Sequence, residues 1–158
     1  MTITATEVND GSSSNNSTIT LLFTSSEATT NFTSTDIEVT GGTLSNFGAT
    51  SSTVYTAIFT PSSAGATTVN VAANKFTDAT GNPNTVADEF NWTYDNVVPT
   101  MTIASTTSGV TDGSTTNDSS IALTFTSSEV TTDFVVGDIT VSGGTISNFA
   151  GSGTTYTA

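Results

Sequence analysis

Any chemistry on this chain must be done with oxygen. Fourteen Asp and Glu residues face a single base, Lys75, and there is no Arg, His or Cys, giving a net charge of -13. Without His or Cys, neither a Ser-His-Asp nor a Cys-His nucleophile can be assembled. Zinc sites built from imidazole and thiolate are excluded as well. Carboxylates, amide carbonyls and hydroxyls together suit calcium, which takes roughly six to eight oxygens. A pair of carboxylates is also the minimum for glycoside hydrolysis. Here the acids fall at turn-like positions, where ordinary loop chemistry is the simpler reading, so no catalytic residue is expected.

The elements that must position these acids are strands. Thr and Ser number 38 and 22 of 158 residues. Thr favours strands, and Ser, Asn, Asp and Gly favour turns. Apolar residues alternate with polar ones at Ile19, Leu21 and Phe23, at Ile37 and Val39, at Tyr55, Ala57 and Phe59, at Val69, Val71 and Ala73, and at Phe90, Trp92 and Tyr94. Such alternation places one face of each strand on a core and the other in water. Turn signals separate these runs at Asn9-Asp-Gly11, Gly41-Gly42, Pro61 to Gly65 and Thr80 to Asn84. The reading is seven strands: A over 2–6, B over 18–26, C over 37–41, D over 43–49, E over 53–60, F over 66–73 and G over 88–95. That is the size and strand number of an Ig-like antiparallel β-sandwich. Trp92 is expected in its core.

The chain then repeats itself. Asp10 to Phe47 aligns without a gap on Asp112 to Phe149, with 24 of 38 residues identical, and Met1-Thr-Ile3 recurs as Met101-Thr-Ile103. A period near one hundred residues is a domain length, so the pattern reads as tandem domains. The first copy is complete over 1–100, its final residues 95–100 forming a short linker that contains Pro99. The second copy, 101–158, is partial and lacks counterparts of strands F and G. The chain is therefore expected to be a piece of a longer protein. With its inner face uncovered, the second copy is not expected to fold in isolation.

Several motifs occur in a fixed order. They are Phe23-Thr-Ser-Ser-Glu27, Phe32, Asp36-Ile37, Gly41-Gly-Thr-Leu-Ser-Asn-Phe47, Tyr55-Thr56, Phe76-Thr-Asp-Ala-Thr-Gly-Asn82 and the segment Asp95 to Thr100. In this order they resemble the bacterial Ig-like repeats of large secreted surface proteins and adhesins. The resemblance spans the first copy and all of the second. It implies a β-sandwich in a stalk-like extracellular or cell-surface array, often associated with calcium, and it identifies no ligand.

In such a sandwich the B–C and F–G loops share one pole. Glu27, Asp36 and Asp78 are expected there in the first copy, as a candidate calcium site. Glu129, Asp133 and Asp138 occupy the matching pole of the second copy, while Asp10 and Asp95 approach the linker from the first. These five form a second candidate calcium site, at the junction, because clustered carboxylates repel unless a cation sits among them.

The function expected is a non-catalytic spacer whose partners are neighbouring Ig-like repeats of the same chain. Two other readings stay open: a domain recognising a surface glycan or protein through its B–C and F–G loops, and an accessory domain of a secreted hydrolase. Nucleic acid is an implausible partner, since phosphate binding needs Lys and Arg. No segment is long and apolar enough to suggest membrane insertion, and no basic stretch leading into an apolar run suggests a signal peptide.

Overall fold

The computed structural model describes residues 1–158 and divides them into two compact units, Met1–Val97 and Val98–Ala158. The first unit has eight strands: β1 Thr2–Ala5, β2 Ser12–Ser14, β3 Ile19–Thr24, β4 Glu38–Thr40, β5 Gly42–Ala49, β6 Val54–Pro61, β7 Gly65–Asn70 and β8 Phe90–Tyr94. They form two four-stranded sheets, ordered β1-β3-β6-β5 and β2-β8-β7-β4. All pairings are antiparallel except β2 with β8. The predicted alternation fills the space between the sheets. Ile19, Leu21 and Phe23 from β3, Ala57 and Phe59 from β6, Val69 from β7, and Phe90 and Trp92 from β8 are all buried, with Val71 just beyond β7.

The seven-strand expectation missed β2. This short run of serines has no apolar alternation and so gives no periodic signal. Backbone geometry makes it a strand. Gly11, at φ +73, turns the chain out of the first sheet, and its N–H donates to the Asn91 carbonyl at 2.9 Å. Asp10 Oδ1 accepts the Asn91 N–H at 2.6 Å. Ser12 then pairs in parallel with Trp92, and the Trp92 indole N–H donates to Ser14 Oγ at 3.1 Å. The chain thereby crosses from one sheet to the other, and β2 closes an edge that β8 would otherwise expose.

In the second unit β9 is Met101–Ser105, β10 is Leu123–Thr131 and β11 is Ala150–Thr157. They form one antiparallel sheet in the order β11-β10-β9. It repeats β6-β3-β1: Phe125 faces Tyr156 as Phe23 faces Tyr55, and Phe125 faces Ile103 as Phe23 faces Ile3. An aromatic cluster repeats too. Phe134 lies edge-on to Tyr156 at 5.0 Å, as Phe32 does to Tyr55 at 5.1 Å. Phe149 stacks on Tyr156 at 5.7 Å, as Phe47 does on Tyr55 at 5.8 Å. The Tyr hydroxyls donate to equivalent backbone carbonyls, Tyr55 to Thr29 at 2.8 Å and Tyr156 to Thr131 at 3.1 Å.

Two sequence expectations fail in this unit. Ile139 and Val141 form no strand, and neither does Gly144 to Phe149 before β11. The corresponding β4 pairs only with β7, and the first half of β5 pairs with Ile58 to Pro61 of β6. The second unit contains no counterpart of either partner, so the alternation has no ladder to join. For the same reason β10 begins at Leu123 and leaves Ile121 out. Its equivalent Ile19 is held opposite Phe59.

Candidate functional site

The loops between β3 and β4 and between β7 and β8 meet at one pole of the first unit. Asn31 stitches them together: its Oδ1 accepts the Thr77 N–H at 3.0 Å, and its Nδ2 donates to Thr77 Oγ1 at 3.3 Å. Phe76 enters the core beneath them, 5.1 Å from the Phe32 ring. Asn84 braces the longer loop. Its Oδ1 accepts the Lys75 and Phe76 N–H groups at 2.7 and 3.0 Å, and its Nδ2 donates to the Ala72 and Thr85 carbonyls, each at 2.8 Å. A hollow of about 200 Å³ lies between the loops, lined in part by Met1, Ser25, Glu27, Asp78, Asn82 and Asn84.

Glu27 and Asp78 therefore share this hollow, and Asp36 does not line it. Asp36 closes the 3₁₀ turn Ser34–Asp36 instead. Its Oδ2 accepts the Thr33 N–H at 2.8 Å and the Thr33 hydroxyl at 3.0 Å. Asp78 is engaged within its own loop. Its Oδ1 accepts the Thr80 N–H, the Thr80 hydroxyl and the Asn82 N–H at 2.8 to 2.9 Å, and its Oδ2 accepts Asn82 Nδ2 at 2.8 Å. These bonds, those from Asn82 foremost, hold the Asp78 carboxyl down at about 2, below its ordinary 3.8. A carboxylate offers about four lone-pair positions, and Asp78 spends them on organising a tight turn. Within it Gly81, at φ +92, takes the left-handed conformation that glycine adopts at no steric cost.

The other five candidate residues are divided between the units. Asp10 binds the Asn91 amide, as described, and Asp95 Oδ1 accepts the Val97 N–H at 3.1 Å. In the second unit the Glu129 N–H donates to Ser127 Oγ at 3.3 Å. Asp138 Oδ2 accepts the Val135 N–H at 2.9 Å, repeating the turn that Asp36 closes. Asp133 and Asp138 line an open hollow of about 330 Å³ with Met101, Ser127, Thr131 and Phe134 among others. Within neither unit do three or more carboxylates gather as a set of metal ligands. Among the candidate acids, Asp10, Asp36, Asp78, Asp95 and Asp138 accept hydrogen bonds from backbone amides.

Sequence reasoning passed over Glu7. Its Oε2 accepts the Thr20 N–H at 2.7 Å and its Oε1 the Thr20 hydroxyl at 2.9 Å. Partial burial pushes the Glu7 carboxyl up, but the bonds from Thr20 and its neighbours outweigh it, and the net shift is downward. In the second unit Thr107 does the same work without charge, its Oγ1 accepting the Ala122 N–H at 2.8 Å. That a Thr replaces Glu7 in the repeat is the signal that its role is structural. Lys75, the lone base, pairs at the surface with Glu38 at 3.3 Å, a contact that contributes little in water.

A protein-family model described as bacterial Ig-like domain matches residues 2–94 and again 95–158. No curated protein and no solved structure matches the chain.

Proposed function

The chain belongs to the bacterial Ig-like domain family, and from that premise we propose that it is a non-catalytic spacer within an extracellular surface protein or adhesin of bacteria. The observation that carries this reading is the placement of its aromatics. Trp92, Phe23, Phe32, Phe59, Phe76, Phe90 and Tyr55 are all buried, spent on packing two sheets rather than displayed for a ligand. In its loops Asp36, Asp78, Asn82 and Asn84 are likewise spent on turns. What the first unit offers is a closed, disulfide-free sandwich, and the family match to it recurs along the chain.

Calcium is part of the proposal as a counter-ion. With a net charge of -13, the compact state repels itself, and a divalent cation among the carboxylates relieves that repulsion. The experiment is to stretch the 158-residue chain between two handles, first with millimolar calcium, then with magnesium, then with chelator at matched ionic strength. A spacer gives one abrupt unfolding event from the first unit, and the unfolding force is higher in calcium than in either alternative. Smooth extension without such an event sinks the spacer reading. Equal forces in all three conditions remove calcium and leave the spacer.

A further inference from the structure

Asp10 and Gly11 are the central residues of the turn that leads into β2. The Asn9 carbonyl accepts the Ser12 N–H at 3.2 Å and the Ser12 hydroxyl at 2.7 Å. The repeat closes the same turn at Asp112-Gly113, where the Thr111 carbonyl accepts the Ser114 N–H at 3.0 Å and its hydroxyl at 2.7 Å. Gly113 has φ +74 against +73 at Gly11. The turn is therefore local. Its φ is what favours glycine, since a Cβ on Gly11 would meet nothing within 4 Å. The first unit adds a clasp to this turn. Asp10 Oδ1 accepts the Asn91 N–H at 2.6 Å, and the Gly11 N–H donates to the Asn91 carbonyl at 2.9 Å. A single residue of β8 thus holds both the carboxyl and the peptide nitrogen that follows it.

Those two groups can react with each other. The nitrogen after an aspartate can close a five-membered ring onto its side-chain carbon, and glycine puts no Cβ in the way. The Gly11 nitrogen bonds to Asp10 Cγ, and one carboxyl oxygen leaves as water with the amide proton and the carboxyl proton. Water then adds to the Asp10 main-chain carbonyl carbon and breaks its bond to that nitrogen. The chain is left running through Cγ, one carbon longer, with a free carboxylate on Cα. Water is the sole reagent, and it has access because Asp10 and Gly11 are both exposed. The clasp opposes ring closure at both ends. The nitrogen must give up a proton that it directs at the Asn91 carbonyl, and the carboxyl must swing onto the nitrogen from the Asn91 N–H.

We propose that Asp10-Gly11 is a self-modification site gated by β8, and that its reaction is a one-way latch on β2. While Asn91 holds both groups, the link stays intact. When β2 leaves β8, the ring closes and an isoaspartyl link follows. The added main-chain carbon between Asn9 and Gly11 breaks the turn that aims both groups at Asn91, so β2 does not reseat. Its loss uncovers the β8 edge and removes Ser14 Oγ, the acceptor of the Trp92 indole N–H at 3.1 Å. The proposal does not depend on the spacer reading.

The test incubates the 158-residue chain at neutral pH beside a synthetic peptide of residues 6–16. Isoaspartate at residue 10 is measured by enzymatic methyl transfer and located by fragment-ion mapping. The peptide should react, and the folded chain should react at least about tenfold more slowly, as for a link that reacts only from a locally open state. Sub-denaturing urea should raise the rate in the chain in step with hydrogen exchange at the Gly11 amide, and full unfolding should bring it to that of the peptide. Once urea is removed, the reacted molecules should recover the Phe32 and Tyr55 resonances of the core. Their Gly11 amide should stay unprotected, and the resonance of the single indole N–H should be displaced. Equal rates in the folded chain and the peptide overturn the gate. Absence of product in the peptide and in the unfolded chain overturns the site. Native protection of Gly11 in reacted molecules overturns the latch.

Discussion

The two units carry nearly the same text from Asp10 to Phe47 and from Asp112 to Phe149, yet only one of them closes a core. Where both partners of a contact are present, the copies agree closely: the Phe125–Phe134 ring distance is 5.9 Å against 5.8 Å for Phe23–Phe32. Where a partner is missing, identical residues lose their strand. Gly41-Gly-Thr-Leu-Ser is largely ladder in the first unit, and Gly143-Gly-Thr-Ile-Ser is irregular in the second. The comparison teaches that local propensity and alternation fix which face of a strand is apolar, while the ladder forms only when a neighbour offers its hydrogen bonds.

The largest expected effect comes from removing the same ring in both units. Phe23 and Phe125 are 0% and 1% exposed, but Phe23 is sealed between two sheets and Phe125 under its own aromatic cluster alone. Phe23→Ala should cost about 3–5 kcal/mol of unfolding free energy by urea titration, part of it for a closed cavity. Phe125→Ala should cost less than half as much, because its site opens to water and leaves little void. Equal costs would mean that the second unit is packed as tightly as the first.

A smaller effect separates the two glycines. Gly42→Ala should destabilise the first unit by about 1–3 kcal/mol, the usual penalty for forcing an atom into a packed core. Gly144→Ala should stay within about 0.5 kcal/mol in either direction, as for an open surface site. Thermal unfolding of the two variants side by side checks this. A large cost at Gly144 would show that its surroundings are packed as closely as those of Gly42, where a Cβ would run into the Phe59 ring.

The smallest effect is confined to acid. The Asp78 carboxyl sits at about 2 in the folded unit against an ordinary 3.8. A depressed carboxylate contributes stability that is fully present above its unfolded value and is lost as pH falls through the folded one. Between roughly pH 4 and pH 2 the first unit should therefore lose that contribution. Asp78→Asn should flatten this part of the stability curve, because an amide does not titrate. An unchanged acid limb in the variant would show that the loop bonds to Asp78 do not outlast unfolding elsewhere in the unit. The second unit, with no counterpart of this loop, provides the internal reference.

Much of the sandwich was legible in the sequence. Period-2 runs named the inward residues of β3, β6, β7 and β8, and the glycine- and asparagine-rich gaps named the turns. The candidate site was legible only in part. Glu27 and Asp78 could be placed at one pole from strand order alone. That Asp36 and Asp78 turn their oxygens toward Thr33, Thr80 and Asn82 depends on side-chain rotamers that no spacing reveals. Glu7 was invisible because a single acid before a strand has no pattern.

By itself, the sequence determined the strand class, the apolar faces, the repeat and the exclusion of Ser-His-Asp and Cys-His arrangements from these residues, because these follow from residue type and periodicity. The tertiary structure decided the rest. It made β2 a strand, since a run of serines pairs only when Gly11 and Asp10 deliver it to Asn91 and Trp92. It left 139–147 irregular, since a strand is a relation between two segments and residues 98–158 supply only one of them. It also showed why Gly42 must be glycine, since the ring that requires it lies seventeen residues further along the chain and meets it only in the folded sheet.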